Sequence, residues 1–301
     1  MAAVAVFNCN VECVAQDVAQ GAVYGKLYPD RFDDLAYEND VVGFRIYGPG
    51  TQKKGERSYG YDIFVKYPDS GIVLPYLFHE QHSADNWAKV DSLRKIDKAQ
   101  AKAMEESISY HIDHGRGADF YAVGPTLGCG VTALLDDDGR IQFPWCYEKA
   151  EIVENGPDRF EAVLTFAPVV IEGDTVTERR RIVLDKGSYL NYCEVTYDGL
   201  SRPRTLVAGV PRRDDAQAFM SPGLGLLAYE DPTQRKDSGK IFTGVVIPGG
   251  AERMYEDQNH ILASVTVKPG ETFRYMWGNA WSKGRIPTFA KWLNYLSGRV
   301  L

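Results

Sequence analysis

The chain has 301 residues, with 34 Lys plus Arg against 41 Asp plus Glu and a formal net charge of −7 at pH 7. That balance argues against a nucleic-acid partner, because phosphate binding draws on a basic surface. Hydrophobic residues at 44% and charged residues at 25% suit a globular protein, and no apolar run is long enough for a transmembrane helix.

The N-terminal stretch MAAVAVFNCNVECVAQ is weakly apolar and lacks a basic n-region, so it is not read as a secretory signal. A mature form with its leader removed would look the same, and the compartment stands open between periplasm and cytoplasm, with periplasm preferred. The five cysteines are odd in number and sparse, which implies no disulfide framework; Cys9 and Cys13 have the spacing of a local bridge. Residues 1–35 carry no clean period and are expected to form an N-terminal arm. The rest, 36–301, reads as one domain.

Within 37–48, Val42, Phe44 and Ile46 alternate with Val41, Arg45 and Tyr47, the period of a β-strand. Tyr61, Ile63, Val65 and Tyr67 alternate in the same way, closed by Pro68. Residues 83–109 are the main helical candidate. Ser83 is placed to cap, Trp87, Val90, Leu93 and Ile96 supply a broken i, i+3 stripe, and QAKAMEES has high helix propensity.

From 130 to 280 strand signals dominate. Strands are expected at 131–135, 141–145, 160–171, 175–184, 189–197, 204–210, 225–230, 241–247, 260–267 and 272–278. Turn clusters such as DDDG, NGPD, DKG and KPG separate them, with no helical pattern between. That spacing signals an antiparallel sandwich or barrel and excludes βαβ units. Arg179, Arg180 and Arg181 fall inside one such strand, so alternation sends them to opposite faces. Thr288 is placed to cap a closing helix with an apolar face of Phe289, Trp292, Leu293 and Leu296. The fold class is therefore all-β dominated, an antiparallel β-sandwich with a helical insertion and a C-terminal helix.

The chemistry concentrates in Tyr110–Gly130, YHIDHGRGADFYAVGPTLGCG. Its first half gathers Tyr110, His111, Asp113, His114, Arg116, Asp119 and Tyr121; its second half is glycine-rich, as suits close approach of backbone to a ligand. Four of the five histidines fall in two equal spacings, His79-x-x-His82 and His111-x-x-His114. Each pair can serve as acid, base or, with Glu80, Asp113 or Asp119, as metal ligands. No cofactor is required, and a divalent metal is an option. His79 or His82 is expected within about 10 Å of His111 or His114, a working cut-off on the scale of the Debye length. Tyr59 and Tyr61 are candidates to stack on a sugar ring, and Arg212 and Arg213 are a second source of positive charge. His260 opens a strand and is read as lying outside the site. No Walker loop, Rossmann fingerprint or G-x-S-x-G elbow is present.

YENDVVGFRIYGP (37–49), SYGYDIFVK (58–66), DHGRGADFYAVGPTLGCG (113–130) and YMWGNAWSKG (275–284) together resemble a bacterial domain-of-unknown-function family of polysaccharide-utilisation loci of pectin and ulvan type. The resemblance spans about 36–298. It implies a galactose-mutarotase-like sandwich and, for at least some relatives, an oligosaccharide dehydratase acting on a terminal uronate. Elimination across C4–C5 of a uronate needs a base for the C5 proton, an acid for the C4 oxygen and a positive group for the enolate. From the chemistry, His111 or His114 accepts, Tyr110 or Tyr121 donates, and Arg116 neutralises the carboxylate. His79, His82, Tyr59, Tyr61, Asp119 and Arg212 are the candidate substrate-binding residues, and the expected partner is a uronate-containing oligosaccharide. An epimerase or glycosidase, with Glu38, Asp62 and Asp119 as available carboxylates, is the alternative, together with a non-catalytic carbohydrate-binding protein.

Overall fold

The computed structural model describes residues 22–300 apart from 234 and 236. The Cys9–Cys13 pair and most of the expected N-terminal arm lie outside the described residues. The described chain forms three antiparallel sheets.

The first sheet runs in chain order: β1 (Tyr24–Tyr28), β2 (Asp34–Glu38), β3 (Gly43–Ile46), β4 (Tyr61–Lys66) and β5 (Gly117–Asp119). Its β2–β3 turn is tied by Asn39, whose side chain accepts from the amides of Val41 and Val42. The second sheet has nine strands. Its central members are Thr272–Trp281, Leu190–Asp198 and Asp174–Asp185, and its edges are Ala218–Ser221 and Lys149–Asn155. The third sheet runs Arg253–Asp257, His260–Val267, Arg204–Pro211, Thr132–Leu135 and Ile141–Gln142. The arrangement is a sandwich. The main core joins all three sheets: Phe44 and Ile63 from the first, Tyr275 and Trp277 from the second, Leu206 and Ile261 from the third.

The helices are α1 (Pro49–Lys53), α2 (Leu74–His82), α3 (Ala84–Arg94), α4 (Lys98–Ile108) and α5 (Phe289–Ser297). The helical candidate over 83–109 forms two helices, α3 and α4, preceded by α2. Ser83 caps α3 by accepting from the Asn86 amide, as its place in the sequence implies. Asp97 then caps α4 through the amides of Ala99 and Gln100, so the chain must turn between them. Leu74, Leu77 and Phe78 of α2 pack on Ala36, Phe64 and Tyr110, covering the outer face of the first sheet. Thr288 caps α5, which buries Phe289, Trp292 and Leu296 against the second sheet on Leu226, Phe242 and Val246. Among the described residues no helix is long and apolar enough to cross a membrane.

Within the glycine-rich half of 110–130, Gly128 and Gly130 do not line open space. Gly128 has φ +55, and a Cβ there would meet the Tyr61 carbonyl at 2.4 Å. A Cβ on Gly130 would meet the Trp277 Cβ at 2.5 Å. Those glycines let the segment cross the Tyr61 backbone, where the Cys129 amide donates to the Tyr61 carbonyl at 2.9 Å. Their close approach is to this chain's own backbone and core.

Candidate active site

Strand register assembles the site. Arg45 on β3 faces Asp62 on β4, and Phe64 on β4 faces Asp119 on β5. Side chains alternate by two, so Arg45, Asp62, Phe64 and Asp119 share the outer face under α2, while Phe44 and Ile63 point to the core. Arg45 Nε donates to Asp62 Oδ2 at 3.0 Å, Nη2 to Asp119 Oδ2 at 3.0 Å, and Nη1 to the Tyr110 hydroxyl at 2.9 Å. Arg45 Nη2 also reaches Asp62 Oδ2, and the Tyr47 hydroxyl donates to that same oxygen at 2.8 Å. All five residues are buried.

One guanidinium here faces two carboxylates. Burial first, then the charge of Asp62, pushes the Asp119 carboxyl well above the usual carboxylate range, with Arg45 opposing. Asp119 is thereby held toward its protonated form, and its Oδ1 has no hydrogen-bond partner. Burial works against the Arg45 cation, but Tyr47, Asp62, Tyr110 and Asp119 outweigh it.

Two histidines flank Tyr110. The His82 ring lies 5.6 Å and the His111 ring 4.7 Å from the Tyr110 ring, centroid to centroid. His111 Nδ1 sits 3.3 Å from the Asp119 carbonyl and 3.6 Å from Asp119 Oδ2, while its side chain is 52% exposed. With Nδ1–H on the carbonyl, Nε2 is the free basic nitrogen. Burial pushes the His111 imidazole below its usual value, against the lift from its bond to Asp119. His82 falls further, to about 4, through burial and then the cations Arg31 and Arg45. His82 Nε2 is buried without a partner.

The other sequence candidates are placed elsewhere. His79 is exposed in the last turn of α2. His114 is exposed, with Nε2 3.1 Å from the Glu106 carbonyl of α4. Arg116 is exposed and lies 4.6 Å over the Tyr76 ring. Asp113 orders the turn, accepting from the Gly115 amide and from the Tyr67 hydroxyl. Tyr121 is buried outside the Arg45 network, with the Arg213 guanidinium 5.2 Å over its ring. Tyr61 cannot serve as a sugar platform: it is buried, stacks on Trp277 at 4.3 Å and takes a bond from Arg180. Tyr59 does reach the surface, stacked on Phe143 at 5.3 Å and edge-on to Trp145 at 6.1 Å. Arg212 bonds the Ala216 carbonyl and lies over Tyr229. His260 is a structural tie, not a bystander: its Nε2 accepts from the Leu127 amide and its Nδ1 bonds the Gln258 carbonyl. Among the described residues no group of three His, Cys, Asp or Glu is placed to hold a metal ion.

Sequence reasoning missed Arg45 and Tyr47 as site residues, and treated Asp62 only as a spare carboxylate. The signal was available: a cation at an alternating position of one strand and a carboxylate at an alternating position of the next.

The fold and this network define an antiparallel sandwich protein with a buried arginine–carboxylate cluster opening on a histidine. The chain belongs to the family described as "Domain of unknown function (DUF4861)", whose model matches residues 10–300. It is 29% identical over 282 residues to "Uncharacterized protein P7" of Formosa agariphila, covering 91% of this chain and 66% of that protein. The chain thus spans just under two thirds of that relative. In shape it resembles the periplasmic domain of Thermotoga maritima YidC, with TM-score 0.40 and 8% identity over 82% of each chain. It also resembles the GH36 alpha-galactosidase AgaB of Geobacillus stearothermophilus, with TM-score 0.37, 10% identity, and 85% of this chain but 41% of that one covered.

Proposed function

We propose that this protein is a carbon–oxygen lyase that eliminates water or an alcohol across C4–C5 of a uronic acid in pectin- or ulvan-type oligosaccharides. The observation that carries the reading is His111. It is a half-exposed imidazole kept neutral by burial, braced at Nδ1 by Asp119 and adjoining Tyr110 on Arg45. A neutral imidazole with one nitrogen free is the base the C5 proton needs. The Asp119 carbonyl, 3.3 Å from Nδ1, restrains the imidazole. Arg116, exposed in the same turn, supplies the cation for the uronate carboxylate. His114, also exposed there, supplies the second proton-transfer group.

The test is incubation with uronate oligosaccharides while following the ultraviolet absorbance of the conjugated carboxylate. Wild type should generate it. His111→Ala should remain folded and lose on the order of 10²–10⁴ in rate. Because the His111 pKa lies below its usual value, kcat/KM should hold at neutral pH and fall only on acidification past the ordinary histidine range. Absence of unsaturated product from every uronate oligosaccharide tried would sink the proposal. A binding protein is the second reading, favoured by the complete burial of Arg45, Asp62 and Asp119, which no substrate can touch without movement.

A further inference from the structure

The long strand Asp174–Asp185 turns Val176, Glu178, Arg180 and Ile182 to one face, because side chains alternate. Its antiparallel partner sets Tyr197 directly opposite Glu178. Those two residues stand in a surface cavity of about 180 Å³ whose walls include Leu134, Phe143, Trp145 and Phe166. Trp145 is 48% exposed and Val170 is 73% exposed, both lining the same cavity.

The polar groups of this cavity are incompletely used. Arg180 donates to one Glu178 oxygen, to the Tyr61 hydroxyl at 2.8 Å and to the Thr132 carbonyl at 3.1 Å. The second Glu178 oxygen has no protein partner among the described contacts. The Tyr197 hydroxyl lies beneath the cavity wall, beside the Thr132 hydroxyl. A carboxylate left half satisfied at a cavity wall calls for an explanation. Here an occupant of the cavity can supply one.

The occupant's chemistry follows. A dry cavity of ~150 Å³ accepts one six-membered ring, so about 180 Å³ suits a single ring. A purely apolar ring would leave the free Glu178 oxygen desolvated and unpaired. A uronate would set its carboxylate against Glu178, whose only buried cation is already engaged. A neutral sugar has apolar C–H faces for Trp145 and Phe166, and hydroxyls that donate to Glu178. We infer that this cavity is a binding subsite for one neutral pyranose ring, apart from the Arg45–His111 cluster. The carbohydrate reading of the protein enters only in the choice of sugar as the occupant.

Calorimetric titration of the full chain with methyl pyranosides of neutral hexoses, and with the matching methyl uronosides, tests this. At least one neutral pyranoside should bind in the millimolar range, with its uronoside about tenfold weaker or worse. Val170→Trp, at a 73% exposed place on the cavity wall, should leave the melting temperature in place while filling the cavity and dropping affinity about tenfold. Trp145→Ala, at an exposed position, should weaken binding at least as much. His111→Ala should bind the neutral sugar as wild type does, so loss of elimination and loss of this subsite are separable. Failure of every neutral pyranoside to bind overturns the inference. So does equal binding of the uronoside, or affinity unchanged in both cavity variants.

Discussion

Two buried arginines, Arg45 and Arg180, sit on strands of this sandwich and both are wrapped by tyrosines and carboxylates. They differ in charge count. Arg45 faces Asp62 and Asp119, so the cluster carries one negative charge too many for a buried place, and Asp119 is driven toward its protonated form. Arg180 faces Glu178 alone. Burial still raises the Glu178 carboxyl, with Arg180 opposing, but no second carboxylate drives it further. The surroundings diverge as well. The Arg45 cluster borders on histidines, and the Arg180 pair on a cavity with apolar walls. The lesson is that a buried cation does not define a site by itself. The surplus of titratable groups around it decides whether protons can be exchanged there.

Four experiments break or sharpen that contrast. The largest effect should come from His111→Ala, which ought to abolish elimination by the ~10²–10⁴ expected of a lost base. Tyr197→Phe, beside Arg180, should leave turnover on a uronate substrate that does not fill the second cavity unchanged. Next come the arginines themselves. Arg45→Met and Arg180→Met should each cost ~3–5 kcal/mol in denaturant unfolding, since a buried carboxylate loses its partner. The Arg45 variant should regain stability on acidification with the steeper slope, because two carboxyls are then free to take protons against one. Equal slopes would mean that Asp119 is not the surplus group.

A smaller effect separates the two aspartates. Asp119→Asn mimics a carboxyl already protonated and should cost under ~1 kcal/mol at neutral pH. Asp62→Asn strips the acceptor of two Arg45 nitrogens and the Tyr47 hydroxyl and should cost ~1–3 kcal/mol. Asp119 can ionise to compensate, so the double variant should lose more than the sum of the singles.

The smallest effect concerns acid stability around Arg31 and Arg45. His82 is depressed to about 4, so its contribution is present above the ordinary histidine value and drains away as pH falls from about 6.5 to 4. Asp34 is raised to about 6, by burial against the pull of Arg45 and Arg31. Its contribution is full below the ordinary carboxylate value and is lost as pH rises toward 6. The two oppose each other in one window. Asp34→Asn, which keeps the acceptor for the Gly48 amide, should therefore steepen the acid loss. The gain in slope should amount to about 2 kcal/mol across the window, the part of the Asp34 shift that falls inside it. An unchanged melting profile between pH 6.5 and 4 would remove Asp34 from the account.

Local pattern alone determined much of this protein. The alternation of 175–184 and 272–278 specified strands, and the turn clusters between them specified antiparallel pairing, because period and punctuation are properties of neighbouring residues. Thr288 and Ser83 announced their helices through caps that act within a single turn. Alternation likewise put Arg180 on the opposite face from Arg179 and Arg181, and of the three only Arg180 is buried. What tertiary structure decided was which alternating residues meet. Arg45, Asp62 and Asp119 are far apart along the chain and are joined only because β3, β4 and β5 lie side by side in one register. A one-residue slip would turn each of them to the other face. The same dependence moved Tyr61 from candidate sugar platform to core, and made Gly128 and Gly130 a crossing point. Burial, and with it every shifted proton in the Arg45 cluster, is a property of what packs on top. For that cluster the covering elements are α2 and Tyr110, and no periodicity in 43–46 or 61–66 encodes their placement.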